Sequence, residues 1–510
     1  MKNIPYYIHS FLLALIAPIY VYIAYPDTHI YAGADSVWRF VFICFVFSIF
    51  MGFASFLLVR EHMAAGLISA CLLLGMLYPP YPFLFITSTI LLTSVLLAIV
   101  KKRFNLLYPC VASTAISIVI AIYVGIEYMS ASQMLDSYKG ISMVDSVEIK
   151  TSPLDSKNKP DIYYIILDAY GGETMLRELH GFDNSMFTSA LRKRGFILSS
   201  TSQSNYLRTI HSLSSSLNMQ YLDNVTEIMG DSPLWWPLKE TFANNETRKF
   251  LESQGYQTVT VTSGWDFTTI TDTDESRQPY PVFINKFEEF FIQHTNLSLL
   301  SFSGNLGVSF PSYDTHRDIV LYAFEQLKNI PELGSPKFTF VHIISPHPPF
   351  VFDADGDPIN PDYPFTIADN RYLITPPSTY QEGYLNQLSF INDQVLEVVD
   401  AILEKSARPP IIIIQGDHGP GIFIDSQSSS PPCFYERYSI LNAYYLPDVD
   451  PGTVAHDITP VNTFRMIFNS YFSTDLELLP NHQYFSPQEA VLRFEDVTDR
   501  TDNSCIFPQQ

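Results

Sequence analysis

Five apolar stretches crowd the first 127 residues, at 6–25, 38–59, 63–79, 83–100 and 105–127, and they limit the fold more than anything else in the chain. A bilayer core takes roughly 20 mostly apolar residues per helix. The third stretch is short, and Pro79, Pro80 and Pro82 mark a turn before the fourth. A cleavable leader would explain only the first stretch, and no small-residue cleavage site follows it. Five in succession with so little charge read as membrane helices rather than as core helices of a soluble protein. The composition agrees, with 47% hydrophobic residues beside 16% charged.

Charge divides the chain. Residues 1–130 hold six basic groups (Lys2, Arg39, Arg60, Lys101, Lys102, Arg103) and four acidic ones (Asp27, Asp35, Glu61, Glu127), so that segment carries +2 and the remainder −24 of the overall −22. An acidic domain of this kind excludes nucleic acid as a partner, because phosphates need a basic stripe. Aromatic residues make up 14% of the chain, enough apolar surface to exclude disorder. Lys2, Arg60 and the Lys101–Arg103 run fall on one side of the membrane, with Arg39 as the exception. The positive-inside bias therefore puts the amino terminus in the cytoplasm and everything past the fifth crossing outside. The expected organisation is a five-helix anchor at 1–129, a polar linker at 130–159 and an exported domain at 160–510. Cys44, Cys71 and Cys110 fall in the anchor. Cys433 and Cys505 reach the oxidising side, where a disulfide between them and two free thiols are both open readings.

In the exported part, short apolar runs at 161–167, 196–198, 258–261, 338–344 and 410–415 read as strands. Helical patterns at 184–194, 236–254, 316–328 and 380–405 lie between them. Strand alternating with helix predicts a mostly parallel sheet covered on both faces, an α/β/α sandwich. In such sheets ligands gather at the carboxyl ends of the strands. The stretch past 485 is polar and is expected at the periphery.

Two of those strand ends carry metal-type ligands. The 161–167 run ends in Asp168, and Ile411–Ile414 leads into Gln415-Gly416-Asp417-His418-Gly419. Carboxylate oxygens with one imidazole suit a divalent cation, and the glycines are expected to let the backbone turn around it. Either motif alone is weak, since an Asp at a strand end also serves as a helix cap. A nucleophile is then sought, and Thr209 stands where a loop gives way to a helical pattern. There a metal lowers the hydroxyl pKa and a helix amino terminus favours the developing anion. The competing reading is that Thr209 only caps the helix. His347, in Ser345-Pro-His-Pro-Pro-Phe350, leaves the 338–344 strand between prolines, as a donor to a phosphoryl oxygen, as an acid, or as a structural histidine.

Together, the Asp168 strand, the Thr209 segment, His-Ile-Ile-Ser-Pro-His347-Pro-Pro-Phe and Gln-Gly-Asp417-His418-Gly resemble the alkaline phosphatase/sulfatase superfamily. With five amino-terminal spans the chain is similar to the lipoteichoic acid synthases and lipid A phosphoethanolamine transferases. The resemblance covers residues 160–475 and the anchor. It implies metal ligands Asp168, Thr209, Asp417 and His418, with Thr209 the nucleophile and His347 contacting the transferred group. Arg317, His316 and Trp265 are looser candidates for lining the pocket. It also implies one divalent ion, Mn²⁺ first, then Zn²⁺, Mg²⁺ or Ca²⁺. The chemistry implied is transfer of a phosphoglycerol or phosphoethanolamine headgroup from a membrane lipid, through phospho-threonine, to an envelope glycan or lipid. That places the protein as a multi-pass protein of the inner membrane with its catalytic domain on the periplasmic side.

Departures from the pattern shape the alternatives. No Cys/Ser-x-Pro-x-Arg motif accompanies Thr209, which disfavours sulfate ester hydrolysis. Asp314-Thr315-His316 has the wrong spacing for the second metal of alkaline phosphatases. Asp168 replaces the Glu that the transferases often carry. Glu173-Thr174 lies past the strand and reads as a helix start. The rival functions are a membrane-tethered phosphodiesterase or phosphatase and an inactive envelope scaffold.

Overall fold

The computed structural model describes residues 4–25, 34–78, 106–136, 143–150, 159–230, 235–279, 286–297, 312–363, 365–367, 374, 376–423, 433–487 and 490–501. The chain forms two compact units, one of residues 1–141 and 282–310 and the other of 142–281 and 311–510.

The first unit is helical: α1 (Ile8–Ala24), α2 (Trp38–Val59), α3 (His62–Leu77) and α4 (Leu107–Asp136). Among the described residues, three helical segments, Ile4–Ala24, Trp38–Val59 and Leu107–Gln133, are long and apolar enough to cross a membrane. Of the five expected spans, the third is the shorter helix α3, with 16 residues, and the fourth, at 83–100, lies outside the described residues. Small residues let α1 and α3 approach closely, with Ser10 Oγ donating to Gly66 O at 2.8 Å. The helix Lys286–Gln293 belongs to this unit although it comes between two elements of the other. Its buried Glu288 accepts from Arg39 Nε at 2.7 Å and also pairs with Nη2. Arg39, the basic residue that broke the charge asymmetry, thus meets a carboxylate from beyond the anchor sequence. The anchor and exported parts therefore interleave in sequence, and no single boundary at 160 separates them. The linker is also partly structured. Helix α4 runs to Asp136, and Met143 and Val144 are buried in the second unit.

The second unit is built on a seven-stranded sheet. Its strands are β1 (Ile162–Leu167), β2 (Ile197–Leu198), β3 (Gln257–Val261), β4 (Glu275–Arg277), β5 (Lys337–Ile343), β6 (Ile411–Gly416) and β7 (Asn442–Tyr445), in the order β2-β7-β6-β1-β5-β3-β4. The pairs β1–β5, β1–β6, β3–β5 and β3–β4 are parallel, while β7 runs antiparallel to β6 and β2 to β7. The centre is β1, whose six residues are all buried. Its side chains alternate between two layers, as the period of two demands. Tyr163, Ile165 and Leu167 join a core with Val320 and Phe324 of α5 (Tyr313–Asn329) and Ile391 and Val395 of α6 (Pro377–Lys405). Tyr164 faces the other way, against Phe464, with its hydroxyl donating to Gln415 Oε1 at 2.7 Å. Apolar runs buried on both faces are what a parallel sheet between helical layers requires.

Between 490 and 497 the tail packs inward rather than lying wholly at the periphery. Phe494 packs against Tyr206 and His211 at ring distances of 5.1 and 5.2 Å, behind the segment that carries Thr209. Val491, Leu492 and Val497 beside it are buried. Polar composition hid these few apolar anchors.

Candidate metal and nucleophile site

Adjacent strands β1 and β6 end side by side, Leu167 level with Gly416, so Asp168 and Asp417 emerge at one edge. Asp168 N bonds Ile343 O and its carbonyl accepts from His347 N at 3.0 Å, which ties the first motif to the β5 exit. Ala169 follows with φ 62°, a left-handed conformation that costs about 1–2 kcal/mol for a non-glycine residue. It is held there by its N–H to Asp417 Oδ1 at 3.0 Å and by Tyr384 Oη on its carbonyl at 2.9 Å. Gly416 and Gly419 have no positive φ, so the turn does not need them for flexibility. They are required by close approach instead. A Cβ would lie 2.4 Å from Tyr170 O at Gly416 and 2.0 Å from Glu436 O at Gly419.

Each carboxylate has one oxygen anchored and one unpaired. Asp417 Oδ1 takes the Ala169 N–H, while its buried Oδ2 has no hydrogen-bond partner and lies 3.4 Å from His418 Nε2. Asp168 Oδ2 is 3.2 Å from His342 Nε2, while its buried Oδ1 has no partner and lies 3.6 Å from the same His418 nitrogen. His418 Nδ1 is 2.9 Å from Gly419 O, so that nitrogen carries the proton and Nε2 presents a lone pair. Thr209 Oγ1 is 3.2 Å from Nε2. Thr209 opens the helix Thr209–Asn218 as its first helical residue, and the capping position falls on Arg208. Its hydroxyl faces His418, which decides against a merely capping role.

Buried carboxylate oxygens left unpaired are costly unless something occupies the space between them. Asp168, Asp417 and His418 place their ligand atoms within 4.8 Å of one another, and theirs is the one such group found among the described residues. Two hard oxygens, one imidazole nitrogen and a hydroxyl fit a divalent cation. Burial pushes the Asp168 carboxyl up, but His347, His342 and His418 together hold it below the usual carboxylate range. Burial, reinforced by Arg437, lowers His418 and keeps it in the neutral, ligating form.

Behind Asp168 stands His342, which pattern reading missed. Its Nδ1 is 2.8 Å from Thr268 Oγ1, so the hydroxyl donates there and Nε2–H donates to Asp168. A histidine inside a fully buried central strand was the available signal. His342→Ala should weaken metal affinity about 10- to 100-fold, the range for loss of such a supporting hydrogen bond, with the fold intact. Titration of the purified variant with Mn²⁺ checks this, and unchanged affinity would refute it.

His347 lies at the site, and so does His316 of the looser candidates. Burial, then His347, lowers the His316 pKa to about 4, and its buried Nε2 has no hydrogen-bond partner. Arg317 does not line the pocket: it donates to Val351 O and Ile359 O at 2.9 Å and pairs with Asp314 at 2.5 Å, bracing a loop. The Trp265 ring packs on Phe267 and its backbone shapes the turn that presents Thr268.

His316 makes a pH prediction. Its folded pKa lies below the unfolded value near 6.5, so the unfolded chain binds more protons between about 4 and 6.5. The stability it contributes is present above pH about 6.5 and is lost as pH falls towards 4, on the order of 3 kcal/mol in all. In EDTA, melting temperature should fall over this window, and less steeply in His316→Gln. Equal slopes would contradict the assignment.

Another residue unforeseen from sequence is Arg437, in the short helix α7 (Phe434–Tyr438). It is buried, donating from Nε to Leu207 O at 2.9 Å and from Nη1 to Gly419 O at 3.1 Å, with Nη2 3.3 Å from His418 Nε2. Cys433, which precedes the helix, is disulfide-bonded; Cys505, the other cysteine of that open pair of readings, lies outside the described residues. Cys44, Cys71 and Cys110 are free.

Among solved structures, the C-terminal periplasmic domain of EcEptC from Escherichia coli matches at 11% identity with a TM-score of 0.42, covering 69% of this chain and 96% of that one. The lipooligosaccharide phosphoethanolamine transferase A of Neisseria meningitidis matches at 12% and 0.42, covering 91% of this chain and 95% of that one. Phosphonate monoester hydrolase of Agrobacterium radiobacter matches at 14% and 0.41, covering 64% and 80%. Scores this low leave the chemistry of this chain to its own residues. No curated protein sequence matches it. The sulfatase family model matches residues 160–439 of the 510, a span that holds Asp168, Thr209, His347, Asp417, His418 and Arg437, and the chain belongs to the sulfatase family.

Proposed function

We propose that the protein is a membrane-anchored, metal-dependent phosphotransferase that moves a phospholipid headgroup, phosphoglycerol or phosphoethanolamine, to an envelope glycan or lipid. The observation that carries this reading is the Thr209 hydroxyl, turned into the carboxylate–imidazole cluster at 3.2 Å from His418 Nε2. A threonine in that place, without the Cys/Ser-x-Pro-x-Arg motif, favours phosphoryl over sulfuryl chemistry. A divalent ion held by Asp168, Asp417, His418 and Thr209 would supply a lowered hydroxyl pKa and neutralise phosphoryl charge. The cluster's unpaired oxygens, Asp168 Oδ1 and Asp417 Oδ2, support one such ion, with Mn²⁺ or Zn²⁺ as candidates.

Thr209 Oγ1 forms a bond to phosphorus as the bond to the lipid alcohol breaks, and the proton lost by the hydroxyl appears on the released alcohol. The acceptor alcohol then reverses the step, regenerating Thr209. His347 Nδ1 lies 2.5 Å from Pro348 O, which leaves Nε2 to meet the headgroup or the departing oxygen. The catalytic unit acts outside the inner membrane, a placement supported by the apolar helices, the charge asymmetry and the Cys433 disulfide. The five-span count belongs to the same proposal.

Purified protein incubated with labelled phosphatidylglycerol or phosphatidylethanolamine, with Mn²⁺ or with chelator, tests it. A labelled Thr209 adduct and label on a second alcohol support the transferase. Release to water alone supports a hydrolase, and no reaction an inactive scaffold.

A further inference from the structure

We propose that Arg437 is a catalytic residue of this site, its Nη2 N–H donating to a non-bridging oxygen of the phosphoryl group seated on Thr209. This rests on the phosphotransferase reading and adds the group that recognises the transferred anion. Three arms of one planar guanidinium point in three directions, which a lysine cannot reproduce. Nε holds Leu207 O, two residues before the nucleophile, and Nη1 holds Gly419 O, just after the ligand His418. Those two bonds join the nucleophile segment to the ligand turn. The third arm reaches 3.3 Å from His418 Nε2, the atom that Thr209 Oγ1 approaches to 3.2 Å from its own side.

Nη2 and Oγ1 therefore flank one nitrogen. When that nitrogen's lone pair is engaged by a metal, neither donor can use it, and both face the space where phosphorus bonds Oγ1. A non-bridging oxygen of that group is one bond further out, within reach of the guanidinium. The position is rigid: Arg437 O accepts from Gly419 N at 2.7 Å, and the neighbouring Glu436 carboxylate lies 3.1 Å from His180 Nε2, both fully buried.

The test uses the full-length, metal-loaded protein in detergent, wild type beside Arg437→Ala and Arg437→Lys, with metal content read by mass spectrometry. Binding of inorganic phosphate and the rate of Thr209 phosphorylation by phosphatidylglycerol are both measured. Arg437→Ala should keep its metal, bind phosphate at least about 10-fold more weakly and form adduct about 10²-fold or more slowly, the cost of one transition-state donor. Added guanidinium ion should restore part of the rate to Arg437→Ala, and Arg437→Lys should recover part of the phosphate affinity. Unchanged phosphate binding and adduct rate would overturn the proposal. So would adduct loss that tracks metal loss without guanidinium rescue, which marks a brace and nothing more. If the wild type forms no adduct at all, the phosphotransferase reading fails, and phosphate binding still judges Arg437 on its own.

Discussion

Thr209→Ala is expected to abolish the phospho-threonine adduct and to lower turnover by at least about 10³-fold. The change removes one hydroxyl and little else. Thr209 opens its helix without capping it, and its Oγ1 is aimed at His418, so the helix keeps its start. Melting temperature should therefore stay close to that of wild type while chemistry is lost. Thr209→Ser keeps the hydroxyl and should keep part of the adduct. Intact mass spectrometry after incubation with lipid reads the result directly. Adduct at wild-type level in the alanine variant would remove Thr209 from the reaction.

Asp417→Asn is the second large effect, and its signature is a crossing. The Ala169 N–H keeps an acceptor in the amide oxygen, so the strained Ala169 turn is retained. The unpaired Oδ2, 3.4 Å from His418 Nε2, becomes a neutral amide nitrogen. Metal affinity should fall by more than about 10²-fold, beyond what loss of a supporting residue costs. In chelator the order reverses. Wild type then buries two carboxylates around empty space, a like-charge arrangement that the variant relieves. The variant should melt at or above wild type in EDTA and below it with Mn²⁺. A variant less stable than wild type in both conditions would show that Asp417 serves the fold rather than an ion.

How much of this could be read from the chain depends on how local each signal was. The central strands β1, β3, β5 and β6 were legible because burial on both faces forces continuous apolar, β-branched runs. The edge strand β4 was not, since Glu275-Ser276-Arg277 pairs on one side only and needs no apolar pattern. The stretch 236–254 read as one helix and is two, Trp236–Ala243 and Glu246–Ser253, because Asn245 caps the second with its side chain on Arg248 N. In the site, Asp168, Asp417 and His418 were visible as polar residues ending buried strands. Arg317 was misjudged through its nearness to His316; its guanidinium answers Asp314, three residues back, and the 351–360 loop. Arg437 escaped because a five-residue helix has no periodicity to read. The clue was two adjacent charges, Glu436 and Arg437, set among Phe434, Tyr435 and Tyr438.

Anomalous diffraction from crystals of the Mn²⁺-loaded full-length protein addresses the central claim most directly. The account predicts one strong peak in the catalytic unit, bound by Asp168 Oδ1, Asp417 Oδ2, His418 Nε2 and the Thr209 hydroxyl together. A peak that leaves the Thr209 hydroxyl outside the coordination sphere, or that lies away from these side chains, would contradict it.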